Sequence, residues 1–278
     1  MKIGRTVVSM QAMVASSFKS PALTLYKKSY QKRGEQRDPH ENMFSSLSTS
    51  VFGDNNNIPT ATARVLYPGC HRHITPSIYF PHVDYVDMDS KVSDVFRDPV
   101  VKEWIHSEQI PQQQQQPPNE WTFTSANFST PLPKNFQPQS YDLLISLSAG
   151  VISLPCAKYV SENGYFLVND SHGDASTAFA HRDALGWSLV AIWDKEKSQW
   201  DRDNLEQFFK TKRGEFISVE QAKEAVEIGS KSGRSYRLAV EQDFYLFQRR
   251  ANAEDQKIRK STKSTKNMER ESSKRQRR

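Results

Sequence analysis

The 278-residue sequence predicts an α/β fold, a three-layer sandwich built on a mostly parallel sheet with an antiparallel C-terminal strand. Three observations predict it. From residue 64 onward, short apolar runs alternate with helix signals. Tyr141-Asp-Leu-Leu-Ile-Ser-Leu147 is nearly continuous in apolar side chains, as strands buried on both faces of a parallel sheet are. The stretch Arg64 to Asp89 reads as strand, glycine turn, short helix, second strand and then acids, the front end of a nucleotide-binding unit.

The elements follow in order. Val65 to Tyr67 is a strand stopped by Pro68-Gly69. Thr75 before Pro76 is a helix cap with proline at the first helical position, where no amide hydrogen is needed. Val83, Tyr85 and Val86 are β-formers that run into Asp87 and Asp89. Ser90 to Arg97 and Val100 to Ser107 read as short helices. Tyr141 to Leu147 is the next strand, and Ala149 to Ser161 a helix that Pro155 either delays or kinks. Gly164 to Asp170 and Trp187 to Trp193 are strands. Ser218-Val-Glu-Gln221 has the spacing of a capping box and opens the helix Val219 to Ile228. Tyr236 to Val240 and Phe244 to Phe247 close the fold as strands, an antiparallel pair or edge.

Composition sets the domain boundaries. Residues 1–34 carry seven Lys/Arg and no acid, and residues 249–278 carry twelve Lys/Arg against four Asp/Glu, so of the net +6 the stretch 35–248 holds about −9. The basic character lies in the tails, and the charge of the core gives no support to nucleic-acid binding by it. Residues 1–58 are expected to be a disordered or targeting tail, residues 59–250 the folded Rossmann-like domain and residues 251–278 a basic disordered tail, with a low-complexity glutamine insertion at 109–118. The tails are expected to be dispensable for folding. The cluster Lys274-Arg275-Gln276-Arg277-Arg278 suits nuclear import and the acid-free N-terminus an organellar address, two alternatives for a soluble intracellular protein. No apolar run approaches the roughly 18 residues of a membrane span. Two cysteines, Cys70 and Cys156, make no disulfide framework and no four-ligand zinc site.

The order of Tyr67-Pro-Gly after a strand, Tyr85-Val-Asp-Met-Asp89, Tyr141-Asp-Leu-Leu-Ile, Gly164-Tyr-Phe-Leu-Val-Asn-Asp170 and terminal Phe244-Tyr-Leu-Phe247 is similar to class I S-adenosylmethionine-dependent methyltransferases, over Ala63 to Arg249. The resemblance is to a glycine-poor branch, since Gly69 is followed by Cys70-His-Arg-His73 where the family usually has further glycines. It implies S-adenosylmethionine as cofactor and methyl transfer to a small-molecule or protein acceptor. It also implies cofactor contacts from Tyr67, Gly69, His73, Asp87, Asp89 and Ser146.

Asp89 is the preferred ribose-binding acid; its alternative role is to cap the turn that Ser90 opens. Asn169-Asp170-Ser171-His172-Gly173-Asp174 is the richest polar cluster, placed where catalytic groups collect in this architecture. His172 is the candidate general base, with Asp170 beside it to set its protonation. The alternative is a turn in which Asp170 and Asp174 cap the next helix and His172 is merely exposed. No metal site is expected, because Leu143 to Gly150 lacks the acid that the catechol-type relatives use beside this strand end. The competing function is a non-catalytic Rossmann-like scaffold whose crowded turn has lost the cofactor. A nicotinamide-dependent oxidoreductase is weaker, for want of spaced glycines.

Overall fold

The computed structural model describes residues 18–31, 38–52, 58–109, 120–228 and 233–250. Its strands are β1 Arg64–Pro68, β2 His82–Asp87, β3 Glu120–Ser125, β4 Tyr141–Ser146, β5 Val160–Val168, β6 Trp187–Asp194, β7 Gln199–Asp201 and β8 Tyr245–Arg249. They form one sheet in the order β3-β2-β1-β4-β5-β8-β6-β7. Neighbours from β3 to β5 are parallel, and β8 lies antiparallel between β5 and β6. The fold is the expected three-layer α/β sandwich with a mostly parallel Rossmann-like sheet and an antiparallel C-terminal strand.

Period-two alternation sorts the side chains onto the two faces. Val65 and Tyr67 of β1, Leu143 and Ile145 of β4, Leu167 of β5 and Leu246 of β8 join one core. Leu66, Leu144, Phe166, Val168, Tyr245 and Phe247 join the other. The helices are α1 Pro21–Tyr30, α2 Glu41–Ser50, α3 Pro76–Tyr79, α4 Ser93–Arg97, α5 Pro99–Glu108, α6 Ser153–Cys156, α7 Asp174–Ala180, α8 Arg182–Leu185 and α9 Val219–Ile228. The first core is closed by side chains from α1 to α5, the second by α6, α7 and α9.

The most consequential difference from the sequence reading is at the N-terminus. Residues 1–58 were expected to be a tail, but α1 and α2 are helices, and Leu23, Tyr26, Met43, Phe44, Leu47 and Phe52 are buried in the first core. Phe52 packs edge-on against Phe80 and Tyr165, and the Tyr26 ring lies tilted against Trp104. The apolar positions Leu23, Tyr26, Met43, Phe44 and Leu47 recur at three- and four-residue spacing, the signal of a one-sided helix. The charge of the segment obscured that signal. Residues 1–17, most of the glutamine insertion and the basic tail 251–278 lie outside the described residues.

Smaller differences have local causes. The helix expected over Ala149 to Ser161 is reduced to α6 and a short 3-10 turn, because Pro155 removes an amide donor and β5 already begins at Val160. Tyr236 to Val240 is not a strand; only Leu238 bridges, to Thr211. Phe244 to Phe247 yields β8, which is interior rather than an edge. The Ser218–Gln221 capping box forms reciprocally, Ser218 N donating to Gln221 Oε1 at 3.0 Å and Gln221 N to Ser218 Oγ at 3.2 Å. Thr75 makes no side-chain cap, because its hydroxyl donates to Asp38 instead. Among the described residues no helix is long and apolar enough to cross a membrane.

Candidate functional site

β1 pairs with β2 on one side and β4 on the other, so the chain reverses direction across the sheet between β1 and β4. In open α/β sheets ligands bind outside the carboxyl ends of the strands at such a point. Gly69 stands there with φ +64°, a conformation that suits glycine, and its N–H donates to Val86 O at 2.7 Å. The half-buried Asp87 meets the turn: Oδ2 accepts from His71 N at 2.8 Å and Oδ1 from Asp89 N at 2.9 Å. Asp89 is exposed and caps the following 3-10 turn through Lys91 N at 2.9 Å. The acid beside the turn is therefore Asp87, and Asp89 has the capping role that its position before Ser90 allowed.

The loop after β4 closes over this turn. Ser148 and Gly150 both have positive φ, +61° and +94°, and they place Ala149 so that a Cβ built on Gly69 would lie 2.3 Å from the Ala149 Cβ. Two clamps hold the loop. Asn169 accepts from Ser148 N at 3.0 Å and donates to Ser148 Oγ at 3.0 Å. The buried Asp174 accepts from Ser146 Oγ at 2.6 Å, Ile152 N at 2.9 Å and Ser153 N at 3.0 Å. Burial pushes the Asp174 carboxyl above its ordinary range even against these three hydrogen bonds. Ser146, expected at the cofactor, is committed to Asp174. Asp174→Ala leaves three buried donors unpaired, and a loss of about 3 kcal/mol is expected from the urea midpoint at unchanged slope.

The expected pair of Asp170 and His172 does not form. Asp170 is turned into the second core, where it accepts from Ser176 N at 2.8 Å, Ser176 Oγ at 3.0 Å and Arg234 at 2.7 Å. Burial raises its carboxyl and Arg234 opposes the rise. The half-buried His172 follows β5 and so stands at the carboxyl ends of the parallel strands, the end of the sheet that carries Gly69. The chain leaves β5 in a turn at Ser171 and His172 that keeps Asp170 buried and His172 half-buried, so the two are parted although only one residue separates them in sequence.

Tyr67 and His73, also expected at the cofactor, face the first core. Tyr67 Oη is 2.9 Å from His73 Nδ1, and His73 Nε2 is 2.6 Å from Asp38 Oδ2. Asp38 Oδ1 receives His40 through its backbone N–H at 2.9 Å and its ring Nδ1 at 2.7 Å. Burial pushes the Asp38 carboxyl up, but the two histidines outweigh it and hold the group well below the usual carboxylate range. The sequence reading missed Asp38 and His40 because they fall in the segment assigned to the tail; the Asp-x-His spacing was the available signal. His71, by contrast, is engaged at the surface by Tyr30 Oη at 3.0 Å and Arg72 at 2.9 Å.

No family model matches the chain. No curated protein matches it either. Among solved structures, it is similar to magnesium protoporphyrin IX methyltransferase from Synechocystis PCC 6803 with bound S-adenosylmethionine, at 12% identity and a TM-score of 0.42 over 86% of this chain and 96% of that one. It is similar to the [4+2]-cyclase SpnF at 8% identity and a TM-score of 0.43, over 80% and 86% of the two chains. A functionally unknown protein from Deinococcus radiodurans R1 gives 13% identity and a TM-score of 0.42, over 87% and 100%. The chain's own strand order, with β8 antiparallel inside the sheet, is that of a Rossmann-like α/β sandwich.

Proposed function

We propose that the crevice at the carboxyl ends of β1, β2 and β4 takes S-adenosylmethionine and that the protein transfers its methyl group to a small-molecule or protein-borne nucleophile. The observation that carries this reading is the convergence of the left-handed Gly69 turn and the half-buried Asp87 at the point where strand order reverses. Each Asp87 oxygen accepts one backbone hydrogen bond and retains lone-pair capacity for a ribose hydroxyl. The turn fits close approach of a ligand once Ala149 is displaced, and the positive-φ residues Ser148 and Gly150 are the hinges for that movement. Bound there, the cofactor supplies an electrophilic methyl. The chain supplies position, and His172 takes a proton from the acceptor when the acceptor is protonated.

One observation favours a second reading. Ala149 seated on Gly69, held by Asn169 and Asp174, closes the approach that a cofactor needs, which suits a non-catalytic scaffold of the same fold. Thermal unfolding with S-adenosylhomocysteine separates the two. A ligand at a hundredfold its Kd adds about 2.7 kcal/mol of stability, a clear rise in midpoint. Asp87→Ala is expected to weaken binding by about 1.5–3 kcal/mol, as loss of hydrogen bonds to a charged group does, while Asp89→Ala stays within about twofold. With an acceptor in hand, His172→Ala is expected to lower turnover by about 10² to 10⁴ at unchanged cofactor affinity. An unmoved midpoint at millimolar ligand sinks the methyltransferase reading and leaves the scaffold.

A further inference from the structure

Away from that crevice, three potential metal ligands converge beneath the N-terminal helices: Asp38, His40 and His73 offer carboxylate oxygen, Nδ1 and Nε2, all within 4.8 Å of one another. We propose that they form a binding site for one divalent transition-metal ion of the zinc class, which ties the turn leading into α2 to the turn after β1. Two imidazoles and one carboxylate are the donor set of three-ligand zinc sites that keep a further position for water.

The geometry needs little change to accept an ion. Ligands about 2.0–2.2 Å from a tetrahedral zinc lie about 3.4 Å from one another. Here His73 Nε2 and His40 Nδ1 lie 2.6 and 2.7 Å from the two Asp38 oxygens, so the three groups part by less than an ångström or so to admit it. The proton balance closes within the histidines. Each neutral ring turns a lone pair to the ion and carries its single N–H on the other nitrogen, which for His73 is Nδ1, 2.9 Å from the Tyr67 hydroxyl.

Independent features point the same way. Ligand histidines are oriented by a hydrogen-bond partner on their far nitrogen, the position that Tyr67 holds. The carboxylate is oriented in turn by Thr75 Oγ1 and by the backbone N–H of His40. Asp38 has a side chain 0% exposed, and among the described residues its carboxylate oxygens meet the imidazoles of His40 and His73, the Thr75 hydroxyl and the His40 backbone N–H. Buried charges are ordinarily paired or coordinate metals. Tyr30 stacked on His73 at 4.4 Å, with Phe44 and Phe244 against the rings of His73 and His40, keeps the site apolar at its rim. His40, 28% exposed, gives the ion a way in.

The test uses the untagged full-length chain stripped with chelator. Titration with Co²⁺ is expected to give a visible absorption band that saturates at one equivalent and is displaced by Zn²⁺, with a rise in the thermal midpoint. His40→Ala alters a partly exposed ring and its folding is checked by circular dichroism; it is expected to weaken Zn²⁺ at least tenfold. Tyr67→Phe is expected to cost about 10–100-fold in metal affinity, the range for an orienting partner. His82→Ala, at an exposed strand position, is expected to bind as wild type does. Absence of saturable one-equivalent absorption in the wild-type chain overturns the site, and so does wild-type affinity in a folded His40→Ala variant. Neither result bears on the crevice at Gly69, which the thermal experiment with S-adenosylhomocysteine tests separately.

Discussion

A chain lacking residues 1–57 is expected to show no cooperative unfolding transition. The truncation removes Leu23, Tyr26, Met43, Phe44, Leu47 and Phe52, of which none is more than 1% exposed. Fully burying such side chains contributes about 1.5–3 kcal/mol each, so the six together match or exceed the net stability of about 5–15 kcal/mol that a domain possesses. The sheet face beneath them would present Tyr67, Leu143, Ile145 and Leu167 to water. Aggregation is the expected companion of that exposure. A single substitution grades the effect: Phe44→Ala, at a side chain touching His73 and Tyr79, is expected to cost about 3–5 kcal/mol in urea unfolding. A cooperative transition of the truncated chain with a wild-type midpoint would show that α1 and α2 are not part of the core.

Arg234→Met is expected to destabilise the chain by about 3–5 kcal/mol. Arg234 and Asp170 form an ion pair at 2.7 Å with each side chain only 4% exposed, and the same guanidinium donates to Asp170 O at 2.9 Å and Ser171 O at 3.2 Å. Removing one member of a buried pair leaves the other charge without compensation, a larger loss than the pair's own net worth. The deficit depends on pH with a defined sign. Burial raises the Asp170 carboxyl above 3.8 and Arg234 is what opposes that rise, so in the variant the folded-state value climbs further. A raised carboxyl costs stability in full above its folded-state value, and the cost shrinks as pH falls through that value and vanishes below 3.8, where folded and unfolded states are both protonated. The gap between variant and wild type is therefore expected to narrow under mild acid. The double variant Arg234→Met with Asp170→Asn is expected to recover part of the loss, the coupling that separates a charge effect from a packing effect. Equal losses at neutral and acid pH, with no recovery in the double variant, would leave packing as the whole cause.

Much of the sheet was legible in the sequence. Val65 to Tyr67, Val83 to Val86, Tyr141 to Ser146 and Trp187 to Trp193 are strands because β-branched and aromatic side chains run together between turn residues, a signal complete within a few positions. β3 escaped notice: its alternation Glu120-Trp-Thr-Phe-Thr-Ser125 follows a glutamine-rich stretch that composition marks as loop. The helices α1 and α2 were hidden in the same way, by a basic and serine-rich composition that outweighed a correct apolar spacing.

The site residues divide along a different line. Their placement at one end of the sheet followed from strand order: Gly69, Asp87 and His172 do stand at carboxyl ends of parallel strands. Their availability did not. Ser146 and Asp174 meet across 28 positions, His73 and Asp38 across 35, and Arg234 and Asp170 across 64. The sequence by itself determined most of the parallel strands and that both faces of the sheet are covered, because those follow from local periodicity and connection rules. Only the tertiary structure decided which acids are free, that Ala149 closes on Gly69, and that a histidine of the first turn is joined to a carboxylate near the N-terminus. A buried polar group must find its partner wherever the packed chain brings one, and that choice is made by contacts remote in sequence.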